Sequence, residues 1–84
     1  MKLVKFRHLQ AYWFTLFFAN GESKDVDLES LIGTYVSLNE LKTAQVNSEW
    51  GCLEFNEGHV DIEPKTLYRY AYGLKSSSEY SEAA

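Results

Sequence analysis

The stretch from Trp50 to Tyr72 constrains the fold of this chain more than any other. Apolar and polar residues alternate on both sides of Asn56-Glu57-Gly58, a pattern that predicts two strands joined by a tight turn. Pro64 then suits the first position of a helix, where its missing amide hydrogen is not needed. One face of that helix would carry Leu67, Tyr70, Ala71 and Leu74. We therefore expect a β-hairpin followed at once by a helix, which Gly73 is placed to end.

The first 28 residues predict a second set of strands. Between Leu3 and Leu9, the side chains of Val4, Phe6 and His8 alternate with lysine and arginine, which is typical of a half-buried strand. The segment Tyr12–Ala19 is rich in the aromatic residues that favour a pleated surface. Asn20-Gly21 favours a two-residue type I′ turn, which would return the chain along residues 22–28.

Two short helices are expected between these hairpins. Asp27 can cap a helix at Leu28–Ile32, and Gly33 can end it. Ser37-Leu38-Asn39-Glu40 fits the capping box that begins a second helix, with Leu38 and Leu41 as its apolar stripe. The chain is therefore predicted to be an α+β protein. Its mostly antiparallel sheet would be built from hairpins, with two or three short helices packed mainly on one face.

Length and composition favour a single soluble domain. The chain has 84 residues, and we expect one domain over residues 1–75 followed by a flexible tail of small, polar and acidic residues over 76–84. The lone Cys52 excludes an internal disulfide and fits a reducing compartment. No run approaches the roughly 18 apolar residues of a membrane span, and charges interrupt the first residues, so no signal peptide is expected. These features predict a cytoplasmic protein without membrane contact.

The charge is distributed unevenly along the chain. Residues 1–24 carry four basic side chains and one acidic one, whereas residues 25–84 carry eleven acidic and four basic ones. An acidic body argues against direct binding to nucleic acid, which depends on lysine and arginine. It is compatible with a basic protein partner, or simply with a solvated surface.

Several of these signals together resemble a known family. Phe17-Phe18-Ala19-Asn20-Gly21 ends the first strand pair, and Val26-Asp27-Leu28 precedes a short leucine-containing helix. A hairpin and proline-started helix follow, from Phe55-Asn56-Glu57-Gly58 to Glu63-Pro64-Lys65-Thr66-Leu67-Tyr68. Over roughly residues 3–72 the chain resembles the bacterial DUF2442 family of uncharacterised proteins. The resemblance implies a small α+β domain, often encoded beside another small protein in toxin–antitoxin-like arrangements, and it implies no catalytic residues.

The segment Tyr12–Ala19 is apolar on both of its faces. If the helices cover the face of Tyr12, Phe14, Leu16 and Phe18, then Trp13, Thr15 and Phe17 point outward. Aromatic side chains are enriched at protein interfaces, so these three residues are the candidate interface. Alternatively, a loop, the C-terminal segment or side chains of the first strand cover them.

Few residues suggest chemistry. His59, Asp61 and Glu63 would share one face of a strand and could bind a divalent metal, although capping and surface charge explain them as well. Cys52 has no basic neighbour in sequence to lower its pKa, and the glycines form no phosphate-binding loop. The tyrosines Tyr68, Tyr70 and Tyr72 suggest base stacking, but core packing is the simpler interpretation.

These observations favour a small non-enzymatic protein-binding module, an antitoxin-like or regulatory partner of another small bacterial protein. We expect a protein partner or a homo-oligomer, and no cofactor. Two alternatives remain open at this point. One is a metal-binding or enzymatic accessory that uses His59, Asp61 and Glu63. The other is an acidic, phage-type inhibitor that mimics DNA.

Overall fold

The computed structural model describes residues 1–73 and shows two small antiparallel sheets with short helices, which confirms the α+β class. The first sheet has the order β1 (Leu3–His8), β2 (Trp13–Phe18), β3 (Ser23–Asp27), and the second the order β4 (Gln45–Val46), β5 (Leu53–Phe55), β6 (Val60–Ile62). The helices are α1 (Glu29–Ile32), a 3-10 helix (Leu38–Thr43) and α2 (Pro64–Ala71). Within this part of the chain, no helix is long and apolar enough to cross a bilayer.

The first strand contains a β-bulge that alters the expected alternation. Leu3 pairs with Phe18 but Lys5 pairs with Phe17, so Val4 is an extra residue on β1. As a result Leu3 is buried, and Val4, which we expected on the buried side, is 55% exposed. After the bulge Phe6 and His8 lie on the inner side as predicted, where both rings contact Phe14.

The turn between β2 and β3 differs from the predicted type I′ turn. It has three residues, Ala19-Asn20-Gly21, and only Gly21 has a positive φ, 89°. The Gly21 amide donates to the Phe18 carbonyl at 3.0 Å and the Phe18 amide to the Glu22 carbonyl at 2.8 Å, the pattern of a turn followed by a glycine bulge. The Asn20 side chain accepts a hydrogen bond from the Glu22 amide, which holds the asparagine within the turn.

Both predicted connecting helices are present, with local differences. Asp27 accepts from the Glu29 amide at 3.0 Å, and α1 ends before Gly33. The capping box of Ser37 and Glu40 is also present, but it begins a 3-10 helix. Leu41 is buried, whereas Leu38 is 61% exposed because it lies at the start of this short helix, outside the core. The expected stripe of two leucines is therefore wrong.

The second sheet contains the predicted hairpin and one strand that the sequence did not reveal. Phe55 pairs with Val60, and Asn56, Glu57 and Gly58 all have positive φ values, 55°, 58° and 90°. The additional strand β4 pairs with β5 through only two residues. The strands therefore divide into two sheets rather than forming the single sheet that we expected.

Helix α2 packs beside β3 through its tyrosines. The Tyr68 hydroxyl donates to Glu22 Oε1 at 2.6 Å, and the Tyr70 hydroxyl donates to the Asp27 carbonyl at 2.9 Å. Tyr72 reaches the Ser23 carbonyl at 3.4 Å. The helix ends at Ala71, and Gly73 follows with a φ of 68°, as expected. Leu74, the fourth residue of the expected apolar face, and the expected flexible tail lie outside the described residues.

The core lies between the two sheets and the helices. The rings of Phe14 and Phe55 meet edge to face there, with centroids 6.2 Å apart, and thereby join the sheets. The amide of Leu3 also donates to the Gly51 carbonyl at 3.1 Å. The largest fully buried side chains are Phe14, Phe18, Phe55, Leu3, Leu16, Leu28, Ile32, Leu53, Leu67 and Val36.

Candidate functional site

The side of the first sheet that points away from the core is the candidate site, and we call it the outer face. On β2 the side chains alternate strictly, because successive residues of a strand point to opposite sides. Phe14, Leu16 and Phe18 are buried against the core, as predicted. Trp13, Thr15 and Phe17, the predicted interface residues, point outward and share the outer face.

Strand pairing arranges the outer face in three rows across the sheet. The central row is Arg7, Thr15 and Asp25, because Thr15 pairs with both neighbours. One flanking row is Lys5, Phe17 and Ser23. The other is Leu9, Trp13 and Asp27, in which the Leu9 amide donates to the Trp13 carbonyl at 2.9 Å. The β1 side of the face is thus basic, its centre is largely aromatic and its β3 side is acidic.

Trp13 is the exposed aromatic residue of the outer face. Its side chain is 42% exposed and that of Leu9 43%, and together with Gln10 they line a shallow groove of about 390 Å³. Phe17 is less exposed than Trp13. It is half-buried, because Lys5 Nζ lies 4.7 Å from the centre of its ring. A side chain of the first strand therefore covers Phe17, as one alternative had proposed, but Trp13 stays accessible.

Hydrogen bonding in the outer face involves its acidic side. Thr15 Oγ1 donates to Asp25 Oδ1 at 2.6 Å, which orients this carboxylate and leaves Oδ2 for another donor. Asp27 accepts the Glu29 amide at the start of α1. Asp25 is therefore the exposed carboxylate of the face, whereas Asp27 is half-buried and used in the fold.

The residues of the metal hypothesis lie on the second sheet. His59, Asp61 and Glu63 are all exposed; Asp61 lies in β6, and the other two flank the strand directly. Among residues 1–73, no three histidine, cysteine, aspartate or glutamate side chains come together in a group that could hold a metal ion. The sequence spacing thus places the three on one side without gathering them into a ligand set.

Two open grooves border β6 on its two sides. The first, of about 440 Å³, lies towards α1 and includes His59 together with Leu31 and Tyr35. The second, of about 580 Å³, includes Trp50 and Cys52. Asp61 and Glu63 border both grooves, so acidic groups line each of them.

The surroundings of Cys52 disfavour the thiolate form that a nucleophile requires. Partial burial raises the pKa of its thiol, and the negative charges of Asp61, Glu54 and Glu63 raise that pKa further. A cysteine nucleophile requires a lowered pKa and a base in contact with it. Its side chain is half-buried.

The two tyrosines of α2 and Tyr72, which directly follows the helix, pack α2 against its neighbours. The rings of Tyr68 and Tyr72 are 4.7 Å apart, as their i,i+4 spacing predicts, and Tyr68 also meets Phe18 edge to face. Their hydroxyls are hydrogen-bonded to the segment from Glu22 to Asp27. The core-packing interpretation of these residues is therefore the better one.

Sequence reasoning missed the charged residues that flank the candidate interface. Arg7 and Asp25 join Thr15 in one row because β1 and β3 pair with β2 in registers that place both residues opposite Thr15. The opposite charges of the two strands are visible in the sequence. Their alignment across β2 requires the pairing, which no local pattern encodes.

The family comparison agrees with the fold and extends over nearly all described residues. A family model with the description "Protein of unknown function (DUF2442)" matches residues 3–73, which confirms the resemblance noted in the sequence. The matched range includes the six strands and three helices found within residues 1–73. Comparison with the curated proteins found no match, and comparison with the solved structures found none either.

Proposed function

The chain belongs to the DUF2442 family, and on this basis we propose that it is a non-enzymatic protein-binding module of the bacterial cytoplasm. It binds protein through the outer face of the first sheet. Its biological role is that of an antitoxin-type or regulatory partner of a small protein, in keeping with the gene arrangements that the family resemblance implies.

The exposure of Trp13 carries this proposal. A tryptophan offers a large apolar surface and one polar group, and buried tryptophans contribute strongly to the affinity of protein interfaces. Trp13 is 42% exposed next to Leu9, although the same strand buries Phe14 and Phe18 completely or nearly so. The strand thus leaves its largest side chain accessible on a flat surface rimmed by charges.

The electrostatics of the second sheet favour binding over catalysis. The raised pKa of Cys52 opposes a nucleophilic role, and its cause is burial together with three carboxylates. Asp61 and Glu63 border open grooves rather than an enclosed cavity that would exclude water from a reaction. Both features oppose a catalytic role for the second sheet, so the outer face of the first sheet remains the proposed binding surface.

Site-specific photo-crosslinking tests the proposed binding surface. The photoreactive residue p-benzoylphenylalanine replaces Trp13 in the full chain, which is produced in its native host and irradiated. We expect a covalent adduct with a protein at this position. The matched control replaces Trp50, which is more exposed at 65% but lies on the groove beside the second sheet.

The yield at the two positions decides the outcome. A yield at position 13 several times that at position 50 supports binding through the outer face. Equal yields, or no adduct at position 13, would contradict the proposal. Mass spectrometry of the adduct identifies the bound chain.

A further inference from the structure

The outer face carries opposite charges on its two sides, at the same level along the strands. Arg7 on β1 and Asp25 on β3 lie in one row with Thr15 between them. The two outer strands of a three-stranded sheet are about 10 Å apart. Asp25 uses Oδ1 to accept a hydrogen bond from Thr15, and its carboxylate is exposed. A partner that matches this face therefore needs an acidic group over Arg7 and a basic group over Asp25.

A second copy of the same face meets this requirement. A two-fold axis that runs parallel to the strands above β2 places β2 over β2 and β1 of each copy over β3 of the other. Arg7 of each copy then faces Asp25 of the second copy, so the pair forms twice. Trp13 faces Trp13 along the same axis, and Phe17 faces Phe17. The arrangement covers the exposed tryptophan with an equivalent apolar side chain.

We propose that the outer face binds a second copy of this chain in that two-fold arrangement. The inference rests on the proposed function, since it names the protein that the binding surface takes. The observation behind it is the order of the central row, in which a basic residue, a small polar residue and an acidic residue follow one another across the sheet. When the two-fold axis turns this row over, the basic end of each row lies over the acidic end of the other.

The charges also select the direction of the axis. A two-fold axis perpendicular to the strands would place β1 over β1, so that Lys5 and Arg7 of both copies would face one another. Like charges juxtaposed in this way oppose association. Two aligned sheets packed face to face differ by about 30° in strand direction. The central row lies at the middle of the face, between the rows of Phe17 and Trp13, so this rotation displaces Arg7 and Asp25 least.

The size of the face sets the expected strength of the complex. Three strands of about six residues present a surface of roughly 20 by 14 Å. Such a contact lies below the standard interface of about 800 Å² on each partner. The dimer is therefore weak, it dissociates on dilution, and added salt weakens it because exposed ion pairs contribute to it.

Charge-reversal variants and their mixture test this arrangement by sedimentation equilibrium. The full chain dimerises as its concentration rises, whereas Arg7→Glu and Asp25→Arg each raise the dissociation constant at least about tenfold. An equimolar mixture of the two variants restores dimers. In the mixed pair, the new Glu faces the new Arg, and the native Asp25 faces the native Arg7.

Two control variants separate a specific effect from a change in net charge. Lys42→Glu and Glu49→Lys alter the net charge by the same amounts at exposed positions outside the outer face. Both should dimerise like the parent chain. Far-ultraviolet circular dichroism of every variant confirms that it folds, and restoration by mixing gives the same information independently.

The possible outcomes distinguish this inference from the proposed function. A parent chain that stays monomeric at millimolar concentration overturns the inference, and so does a dimer that the variants leave intact or that mixing fails to restore. A crosslink from position 13 to a different protein, with a monomeric parent, supports the binding function and overturns the self-association. A crosslink to a second copy, with restoration on mixing, supports both.

Discussion

At the scale of single residues, the turn between β5 and β6 stores conformational strain. Asn56, Glu57 and Gly58 have successive positive φ values of 55°, 58° and 90°. Glycine adopts this region freely and asparagine tolerates it, but for other residues it costs about 1–2 kcal/mol. The Asn56 amide donates to Thr43 Oγ1 at 2.7 Å, which anchors the turn to the end of the 3-10 helix. Glu57 therefore occupies a position that glycine would suit better.

Replacement of Glu57 by glycine should stabilise the protein. We expect Glu57→Gly to raise the free energy of unfolding by about 0.5–1 kcal/mol, because relief of the strain exceeds the greater entropy of glycine in the unfolded chain. Urea denaturation measures the change. Glu57→Ala is the matched control, since it removes the same side chain but keeps the strain. Equal effects of the two substitutions would show that the backbone conformation is not responsible.

A second glycine lies where the two sheets meet. Gly51 has a φ of 75°, its carbonyl accepts the Leu3 amide, and a Cβ atom built on it would lie 2.7 Å from the Cα of Lys2. We expect Gly51→Ala to lower the free energy of unfolding by about 3 kcal/mol, from the unfavourable φ and the clash with backbone. Gly21→Ala provides the comparison.

Gly21 has a similar φ of 89°, but no atom lies within 4 Å of the position that a Cβ would occupy, so Gly21→Ala should lose only about 1 kcal/mol. The difference between the two variants measures the close approach at Gly51. If thermal denaturation gave equal losses, the contact between Gly51 and Lys2 would contribute nothing to stability.

The environment of Cys52 predicts low reactivity of its thiol. Burial and the charges of Asp61, Glu54 and Glu63 raise its pKa, so little thiolate exists near neutral pH. Iodoacetamide should therefore alkylate Cys52 several times more slowly than it alkylates glutathione at pH 7.5. Asp61→Asn should increase the rate, whereas Lys42→Met, at an exposed position that does not affect the pKa of Cys52, should not. A parent rate equal to that of glutathione would contradict this account.

At the scale of elements, a charge-assisted hydrogen bond from Tyr68 to Glu22 holds α2 against the start of β3. The hydrogen bond from Tyr68 lowers the pKa of Glu22, helped by the bond from Asn20. The same bond raises the pKa of Tyr68. A lowered carboxyl pKa stabilises the fold above the ordinary pKa of glutamate, and this contribution disappears as the pH falls through the folded-state value. A raised tyrosine pKa stabilises the fold below pH 10 or so, and this contribution is lost as the pH rises further.

The pH dependence of stability should therefore change when this bond is removed. We expect the parent chain to lose stability as the pH falls below about 4.3, and Tyr68→Phe to lose less over the same range. Urea denaturation between pH 3 and 6 measures the difference. Tyr35→Phe, at an exposed tyrosine in the loop after α1, should keep the parent profile. Identical dependence of stability on pH in all three proteins would contradict the contribution assigned to the hydrogen bond between Tyr68 and Glu22.

Elements with strong local signals were predictable, and those that depend on distant pairing were not. The start of α2 follows from Pro64, and the start of the 3-10 helix follows from Ser37 and Glu40, because caps act within a few residues. The strand β4 has two residues and therefore no alternation to detect. The bulge at Val4 likewise arises from pairing with β2, which no property of β1 alone determines.

At the scale of the whole molecule, the α+β class was predictable but the division into two sheets was not. Turns such as Ala19–Gly21 join neighbouring strands, so each hairpin can be predicted locally. Whether two hairpins share one sheet depends on contacts such as that between Leu3 and Gly51. The candidate site follows the same rule. Alternation along β2 predicted that Trp13 and Phe17 point outward. The central row could not be predicted, because it depends on how β1 and β3 pair with β2.

Self-association would make the stability of the protein depend on its concentration. Because dimers form only from folded chains, the melting temperature of the parent chain should rise over a roughly 100-fold increase in concentration. Arg7→Glu should show a smaller rise over the same range, because it weakens the dimer. Differential scanning calorimetry measures both. A parent melting temperature that does not vary would contradict the two-fold arrangement.

The hydroxyls of Tyr70 and Tyr72 also limit what the first sheet can join. They donate to the carbonyls of Asp27 and Ser23, which β3 would otherwise offer to an added strand. On the other side, β1 carries a bulge and two basic residues, features that discourage strand addition. A complex formed through flat surfaces related by a two-fold axis is closed. Association of such a protein ends at the dimer, and concentrated solutions should therefore remain free of thioflavin-binding fibrils.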